Sequence, residues 1–508
     1  MKHKDLILTF ASVLLLALAR LPLHLGFLVF IGWIPLMIVL QEGGRSFKRL
    51  LLMGLIWSLV YVGIVFYWIS EVTWGGLIGI VGFYAVWLAL FFYVIQRIWS
   101  RFPAWGHLGF IAVMLSFEYL QNFGETRFPW WNSGYSLAAY PQLIQAADLG
   151  GMTLLALLAL IINILVDKAS RGKLRNLIWI ALIMSAWIGY GQYCLTSLQP
   201  QKRELRAQVM QPSIPQEDKW EQEHYPQMLA RFEELSLKAA ADSTQLFIWP
   251  EAAMPAYLRY DMDRQRDLRE IINLTGLEIF TGFPDFDSAP PEHVDEFYYY
   301  NGASLFKPDG SQQPVFHKNI LVPVGERMLW LKQFPILWKL NFGQANWEFG
   351  KELAYYESFG YRYSPSICYE LAFPDIHHRM AMPKDPQTGR IKKMDFLVNL
   401  TNDAWFGTSY GPWLHQVMTR FRAVENRIQI YRSANTGISV IVDPLGRELA
   451  SAGLFKITNL GAPLYTVDKV PLIRHIHSYP LLFLILAAGL FLLSLFKAAA
   501  PPSKEASG

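Results

Sequence analysis

The sequence is short of the residues and patterns that several common kinds of site require. It has two cysteines, Cys194 and Cys368, too few for a disulfide framework or a cysteine metal cluster. It contains no G-x-G-x-x-G, P-loop or H-E-x-x-H pattern, which argues against the familiar nucleotide-binding sites and zinc-protease sites. There is also no Arg-rich run with interleaved aromatics, so a net charge of +4 over 508 residues does not indicate a nucleic-acid partner.

Charged residues are scarce as well. They make up 17% of the chain and apolar residues 53%, against about 25% and roughly 45–50% in soluble proteins. The apolar excess lies in the first 200 positions and in one stretch near the C-terminus, whereas the middle resembles an ordinary soluble domain. A membrane-spanning helix needs about 20 mostly apolar residues, and the sequence predicts eight spans, at residues 6–20, 23–40, 50–70, 75–96, 106–121, 148–166, 176–196 and 479–496.

Lys and Arg are distributed unevenly around these spans. With the N-terminus inside, 13 fall in the inner segments and two, Arg20 and Arg127, in the short outer ones. Because cytoplasmic loops carry the excess of basic residues, we expect both termini to be cytoplasmic. This predicts a membrane domain at 1–196, an external domain at 197–475, and a closing span with a cytoplasmic tail at 476–508.

Two features of the N-terminal part have more than one interpretation. Residues 1–5 are basic and precede an apolar run ending in Ala17-Leu18-Ala19, as in a cleaved signal peptide. We favour retention as a first span, because small residues are common in helices. The glycines of the fourth span, Gly75, Gly76, Gly79 and Gly82, are expected to mark close helix packing rather than a phosphate loop, since no strand precedes them.

From Glu204 onward, short apolar runs alternate with polar stretches of helical character. A mixed α/β sandwich is therefore expected. The predicted helices lie at 220–240, 262–274 and 413–429, and the predicted strands at 206–210, 245–249, 277–282, 299–306, 361–367, 395–400 and 438–443.

Three polar residues stand at or near the ends of predicted apolar strands. Glu251 follows FIWP, Lys318 lies within VFHKNILVP, and Cys368 follows SPSI. Taken singly, each has an ordinary explanation: a solvated loop carboxylate, a surface lysine and an inert core thiol.

Together the three residues form a chemical unit. A thiol needs a base at neutral pH, and a buried carboxylate with a raised pKa can serve. Attack on an ester or amide carbonyl creates an oxyanion, which needs a cation or N–H donors. Lys318 is the candidate cation, and the backbone N–H of Tyr369 is a candidate second donor. This scheme requires no histidine.

The order of these motifs resembles the Glu-Lys-Cys triad of the nitrilase superfamily. Glu251 stands in WPE, Lys318 in HKNILVPVGE and Cys368 in CYE, and NLTNDAWF follows at 399–406. The sequence resembles still more closely the membrane-embedded branch of that superfamily, the apolipoprotein N-acyltransferase family. The arrangement of seven spans, an external domain and one closing span resembles it too, as do QPSIPQ at 211–216, Trp220, RAVENR at 422–427 and ANTG at 434–437.

The resemblance implies a nitrilase-like αββα sandwich beside a polytopic helical bundle. In it, Cys368 is the nucleophile, Glu251 the general base and Lys318 the stabiliser of the tetrahedral intermediate, with Glu326 orienting Lys318 or the base. Such enzymes move the sn-1 acyl chain of a phospholipid, commonly phosphatidylethanolamine, through a cysteine thioester to the α-amino group of a diacylglyceryl-cysteine apolipoprotein. The resemblance implies an inner-membrane monomer without cofactor or metal.

Further residues are assigned to supporting roles. Tyr369 and Glu370 are expected to shape the acyl pocket and support the lysine, and Trp220 and Asn402 to complete the site. An apolar, aromatic-rich insertion follows the lysine segment and is expected to be a lid that enters the membrane interface, although it could instead pack in the domain core. Its residues are Leu329, Trp330, Phe334, Ile336 and Trp338.

Two other functions share part of this pattern. A membrane-tethered amidase of nitrilase type would use the same triad but hydrolyse its thioester. A transporter or scaffold with a lipid-binding external domain would need ionisable residues inside its spans, and only a few occur, such as Glu118 and Asp148 near span ends. We therefore favour the acyltransferase over the hydrolase, and the hydrolase over a protein without enzymatic activity.

Overall fold

The computed structural model describes residues 3–291, 296–331, 333–334, 336–337, 345–383 and 392–497. The chain forms two compact units, one of residues 1–192 with 475–508 and the other of residues 193–474. Trp338, the last of the expected lid residues, lies outside the described residues.

The first unit is a bundle of apolar helices. Among the described residues, five helical segments are long and apolar enough to cross a membrane, at 47–65, 74–101, 147–170, 176–197 and 473–496. The helices of this unit are α1 Lys4–Arg20, α2 Ile34–Glu42, α3 Phe47–Val65, α4 Ile69–Val72, α5 Trp74–Arg101, α6 Gly106–Leu120, α7 Pro141–Ile144, α8 Ala147–Ser170 and α9 Asn176–Ser197, joined near the C-terminus by α14 Ile473–Ile476 and α15 Pro480–Phe496.

Each of the eight expected spans coincides with helical structure in the described chain, but several of these helices are shorter than one uninterrupted crossing. Helix α1 has 17 residues and α6 has 15, while the second span is divided between a 3-10 helix at Gly26–Phe30 and α2. At about 1.5 Å per residue, α6 is shorter than a hydrocarbon core of about 30 Å. The bundle is polytopic, with some helices that are short and largely buried.

The expectation for the glycines of the fourth span is wrong. A Cβ on Gly79 or Gly82 would meet nothing within 4 Å among the described atoms, and one on Gly75 or Gly76 would meet chiefly Thr73 of the same turn. Close packing occurs instead at Gly54 of α3, where a Cβ would lie 2.3 Å from the Ala85 carbonyl oxygen of α5. Sequence spacing alone does not show which face of a helix meets a neighbour.

The described part of the second unit contains two six-stranded sheets. One has the order β12-β1-β2-β3-β4-β5 and the other β11-β10-β9-β8-β7-β6. Strands β1, β2 and β3 are parallel to one another, as are β7, β8 and β9. The strands are β1 Gln201–Gln211, β2 Leu246–Ile248, β3 Glu278–Ser288, β4 Phe297–Phe306, β5 Phe316–His317, β6 Tyr356–Ser358, β7 Tyr361–Ile367, β8 Phe396–Thr401, β9 Gln429–Ala434, β10 Val440–Val442, β11 Glu448–Ser451 and β12 Thr458–Thr466.

Helices cover the outer face of each sheet. Helices α10 Tyr225–Ala241 and α11 Met262–Thr275 bury residues such as Phe232 and Leu268 in one apolar core with the first sheet. Helices α12 Pro374–Ala381 and α13 Gly411–Asn426 contact the second sheet. The two sheets face each other, since the Ser433 hydroxyl donates to backbone carbonyls of Met210 and Ile248. This is the αββα sandwich that the sequence predicts.

Packing at Gly54 gives a test of the bundle. We expect Gly54→Ala to destabilise the protein by about 1–3 kcal/mol, because the added methyl group forces α3 away from α5. Gly63→Ala on the same helix is the matched control, since nothing lies within 4 Å of its Cβ position. Thermal unfolding in detergent measures both; equal midpoints for the two variants would contradict the packing described here.

Candidate active site

The three triad candidates follow strands of the two sheets. Glu251 comes after β2, Lys318 directly after β5 and Cys368 directly after β7. Glu251 and Lys318 are buried, with 7% and 1% of their surface exposed, and Cys368 is partly buried. The three polar groups therefore lie at or near strand ends in an otherwise apolar interior.

The Lys318 ammonium lies between two carboxylates. Its Nζ donates to Glu326 Oε1 at 2.8 Å and lies 3.7 Å from Glu251 Oε1. Glu326 is held in turn, because its Oε2 accepts the Val322 N–H at 2.8 Å. Two acidic partners compensate the burial of one cation, which would otherwise cost several kcal/mol.

Glu251 is fixed through both oxygens. Oε1 accepts from Asn301 Nδ2 at 2.7 Å, and Oε2 accepts the backbone N–H of Asn402 at 2.8 Å. The buried ammonium of Lys219 donates to the main-chain carbonyl of Glu251 at 2.9 Å. The orientation of the carboxylate is therefore set by residues from three separate parts of the chain.

The electrostatics of the cluster follow from burial and from these neighbours. Burial raises the pKa of Glu251 above its ordinary value, opposed chiefly by Lys318. Burial alone would lower the pKa of Lys318, but Glu326 and Glu251 outweigh it and raise that pKa well above its usual range. Burial, and then the Glu251 charge, raise the pKa of the Cys368 thiol. The lysine is therefore charged, and the thiol is protonated until a base removes its proton.

The backbone at Cys368 is held in an unusual conformation. Its φ is +49°, in the left-handed region that non-glycine residues rarely adopt. Next to it, the fully buried Glu370 accepts N–H groups from Ile367 at 2.7 Å, Asn319 at 2.6 Å and Ile320 at 3.1 Å. Glu370 thus joins the strand end before the thiol to the residues after Lys318. Burial raises the pKa of Glu370 to about 7.

The other supporting candidates lie in different surroundings. Asn402 is buried, and its side chain donates to Gln216 Oε1 at 2.7 Å. The Tyr369 ring is buried edge-to-face against Phe373. Trp220 is 48% exposed and lines an open cavity of about 610 Å³ together with Lys219.

The residues expected to form a lid are mostly exposed. Trp330, Phe334 and Ile336 show 46%, 57% and 64% of their surface, and Leu329 is partly buried. These three large apolar side chains therefore do not pack in the core of the second unit.

Three residues with contacts to the triad were not anticipated. Asn301 bridges Glu251 and Glu326, and the only trace of it in the sequence is one amide inside the apolar strand β4. Lys219 precedes Trp220 but carries no distinguishing pattern. His415 of α13 lies with Nε2 3.1 Å from the carbonyl oxygen of Cys368. A single histidine 47 residues from the cysteine gives no signal in the sequence.

The comparisons first identify the class of the second unit. Residues 206–463, about half of the chain, match the carbon-nitrogen hydrolase family, so this unit is a nitrilase-like domain. Among solved structures, an amidase from Nesterenkonia sp. is 18% identical and covers 52% of this chain and 92% of its own, with a TM-score of 0.37.

The N-terminal unit and the full-length relatives identify the family. Residues 12–165 match the N-terminal domain of apolipoprotein N-acyltransferase. Proteins named apolipoprotein N-acyltransferase are 28% identical in Geobacter metallireducens, covering 89% of this chain and 88% of the relative, and 30% identical in Chlorobaculum tepidum, covering 84% of each. The chain therefore belongs to the apolipoprotein N-acyltransferase family, the acyltransferases of the nitrilase superfamily that carry a multi-pass membrane domain.

The contacts of Glu370 lead to a prediction about stability. Glu370→Gln replaces one accepting oxygen by an NH2 group that must face a backbone N–H, so we expect a loss of about 1–3 kcal/mol. Glu357→Gln is the matched control, because the Glu357 side chain is exposed on the edge strand β6. Thermal unfolding in detergent compares the two variants. A Glu370→Gln midpoint equal to that of the control would show that the hydrogen bonds of Glu370 do not stabilise the protein.

Proposed function

We propose that this chain transfers an acyl chain from a membrane phospholipid, through a thioester on Cys368, to the N-terminal amine of a diacylglyceryl-cysteine apolipoprotein. The observation that carries the proposal is the buried Lys318 ammonium, held 2.8 Å from Glu326 and 3.7 Å from Glu251. The family membership of the whole chain supports the choice of substrates. Phosphatidylethanolamine is the donor we expect, and a monomer the working form.

In the first half-reaction Glu251 removes the thiol proton as Cys368 attacks the ester carbonyl of the phospholipid. The carbonyl oxygen becomes an oxyanion, and the Lys318 ammonium stabilises it. When this intermediate collapses, the bond to the glycerol oxygen breaks. Protonated Glu251 returns its proton to that oxygen, so the lysophospholipid leaves as an alcohol and the enzyme holds a thioester.

In the second half-reaction the α-amino group of the acceptor attacks the thioester carbonyl. Glu251 accepts the amine proton, and Lys318 again stabilises the oxyanion. The C–S bond then breaks, the thiolate recovers a proton from Glu251, and an amide remains on the acceptor. The raised pKa of Glu251 suits a group that must both accept and return a proton near neutral pH.

Orientation in the membrane is part of the proposal. The bias of Lys and Arg supports cytoplasmic termini and a periplasmic catalytic domain at 197–475 in a bacterial inner membrane. The exposed Trp330, Phe334 and Ile336 support a lid that enters the lipid interface. Such apolar side chains would be an aggregation liability on a domain that met only water.

Acylation of Cys368 is the first prediction from this scheme. Incubation with phosphatidylethanolamine should add one hydroxylamine-sensitive acyl chain to the wild-type protein, seen as a shift in intact mass. Addition of a diacylated lipopeptide should clear the adduct as the lipopeptide gains one chain. Cys368→Ala should form no adduct because it lacks the nucleophile.

Cys194→Ser is the matched control, because it removes the other cysteine, which is buried on α9. It should acylate as the wild type does. An adduct that decays to free fatty acid at the same rate with or without lipopeptide would show a membrane-tethered amidase instead. No adduct on the wild type, or an adduct on Cys368→Ala, would disprove the assignment of the nucleophile.

The pH dependence of acylation tests the base. A base must be ionised, so the first-turnover rate should fall as pH falls through the pKa of Glu251, at a midpoint above the ordinary 4.5. The Asn301 hydrogen bond lowers that pKa by stabilising the ionised form. Asn301→Ala should therefore move the acid limb to higher pH. Asn273→Ala, on the exposed face of α11, should leave it unchanged; an unmoved limb in Asn301→Ala would contradict the role of Glu251.

A further inference from the structure

His415 makes a hydrogen bond to the main chain of the proposed nucleophile. Its Nε2 lies 3.1 Å from the carbonyl oxygen of Cys368, and the side chain is fully buried. A carbonyl oxygen only accepts, so Nε2 carries the proton and donates, whichever form Nδ1 takes. The scheme proposed above gives this histidine no role.

The imidazole ring is held in place from its other side. Asp403 Oδ1 lies 3.0 Å and Arg432 Nη2 3.1 Å from His415 Nδ1, and the arginine also donates to Asp403 Oδ2 at 2.7 Å. Both partners are buried. The Asp403 carboxylate packs directly against Gly437. A Cβ on residue 437 would lie 2.3 Å from Asp403 Oδ2, so a larger residue would displace the carboxylate. The ring is therefore fixed by a buried ion pair.

The hydrogen bond acts on a strained part of the backbone. The left-handed φ of Cys368 costs an L-residue about 1–2 kcal/mol and persists only where surrounding contacts impose it. In a trans peptide the C=O and the following N–H point to opposite sides. With the Cys368 carbonyl directed at α13, the N–H of Tyr369 points away from that helix.

We propose that His415 is a positioning residue for acyl transfer, whose bond to the Cys368 carbonyl fixes the peptide plane so that the Tyr369 N–H joins Lys318 in stabilising the oxyanion. This inference rests on the proposed function, because an oxyanion forms only if Cys368 attacks a carbonyl. It predicts that His415 affects reactions of the thiol that pass through an oxyanion and leaves other reactions of the thiol unaffected.

Two amide variants that differ only in reach test the inference. In His415→Gln the amide nitrogen lies near the position of Nε2 and can still donate to the Cys368 carbonyl. In His415→Asn the side chain is too short for its amide nitrogen to reach that carbonyl. Each variant is treated with phosphatidylethanolamine, which acylates through an oxyanion, and separately with iodoacetamide, which alkylates by direct displacement without one. Intact mass gives both rates at Cys368.

We expect His415→Asn to acylate about 10–100-fold more slowly than the wild type, somewhat less than the 10²–10³-fold loss typical of deleting an oxyanion donor. His415→Gln should recover most of the rate. Alkylation should stay within about threefold of wild type in both variants. Thermal unfolding in detergent provides the check on folding, and a purely structural role would lower acylation and alkylation together.

Three results would overturn the inference. Equal acylation by the Gln and Asn variants would show that donation to the carbonyl is irrelevant. Equal loss of acylation and alkylation in His415→Asn would show a general disturbance of the thiol. If the wild-type protein is alkylated at Cys368 but never acylated, the proposed function itself fails, and the role of His415 fails with it; that pattern is distinct from the other two.

Discussion

The interaction on which the site depends is the burial of the Lys318 ammonium between Glu326 and Glu251. A single buried cation is too costly to keep unless it is paired, and removing one partner of such a pair typically costs about 3–5 kcal/mol. The two carboxylates therefore keep the lysine charged. In the proposed reaction, that charge acts on a developing oxyanion with little dielectric screening, because the site is largely shielded from water.

The position of the thiol depends on constraints that act on the backbone of Cys368. Glu370 binds the N–H of Ile367 on one side of Cys368, and His415 binds the Cys368 carbonyl on the other. Cys368, which lies between these two contacts, has a left-handed φ. Strain at a functional residue persists when its surroundings over-determine it, and these contacts come from two separate elements. A clamp of this kind fixes the direction of the following N–H as well as the position of the thiol.

The sequence predicts the helices and strands better than it predicts which of their residues contact one another. The apolar runs before Glu251 and Cys368 are strands β2 and β7, and the αββα sandwich and the family are confirmed. Asn301 and His415 were not found, because a hydrophobic pattern predicts which face of a strand or helix is buried but not which residue of another element it meets. Those contacts join residues 50 and 47 positions apart. The span expected at 106–121 coincides with α6 to within one residue, because a continuous apolar run marks both ends of that helix.

The pKa of Glu251, the proposed base, is set by opposing interactions. Burial raises the pKa of Glu251, while the Asn402 N–H, the Asn301 amide and the Lys318 charge favour the ionised form. More donors would lower the pKa of the carboxylate and weaken it as a base, and fewer would raise that pKa and favour the protonated form. Asn301 bonds both Glu251 and Glu326, so one amide adjusts the base and the partner of the cation together. In the proposed reaction, proton transfer and oxyanion stabilisation are therefore coupled through a residue that takes part in neither.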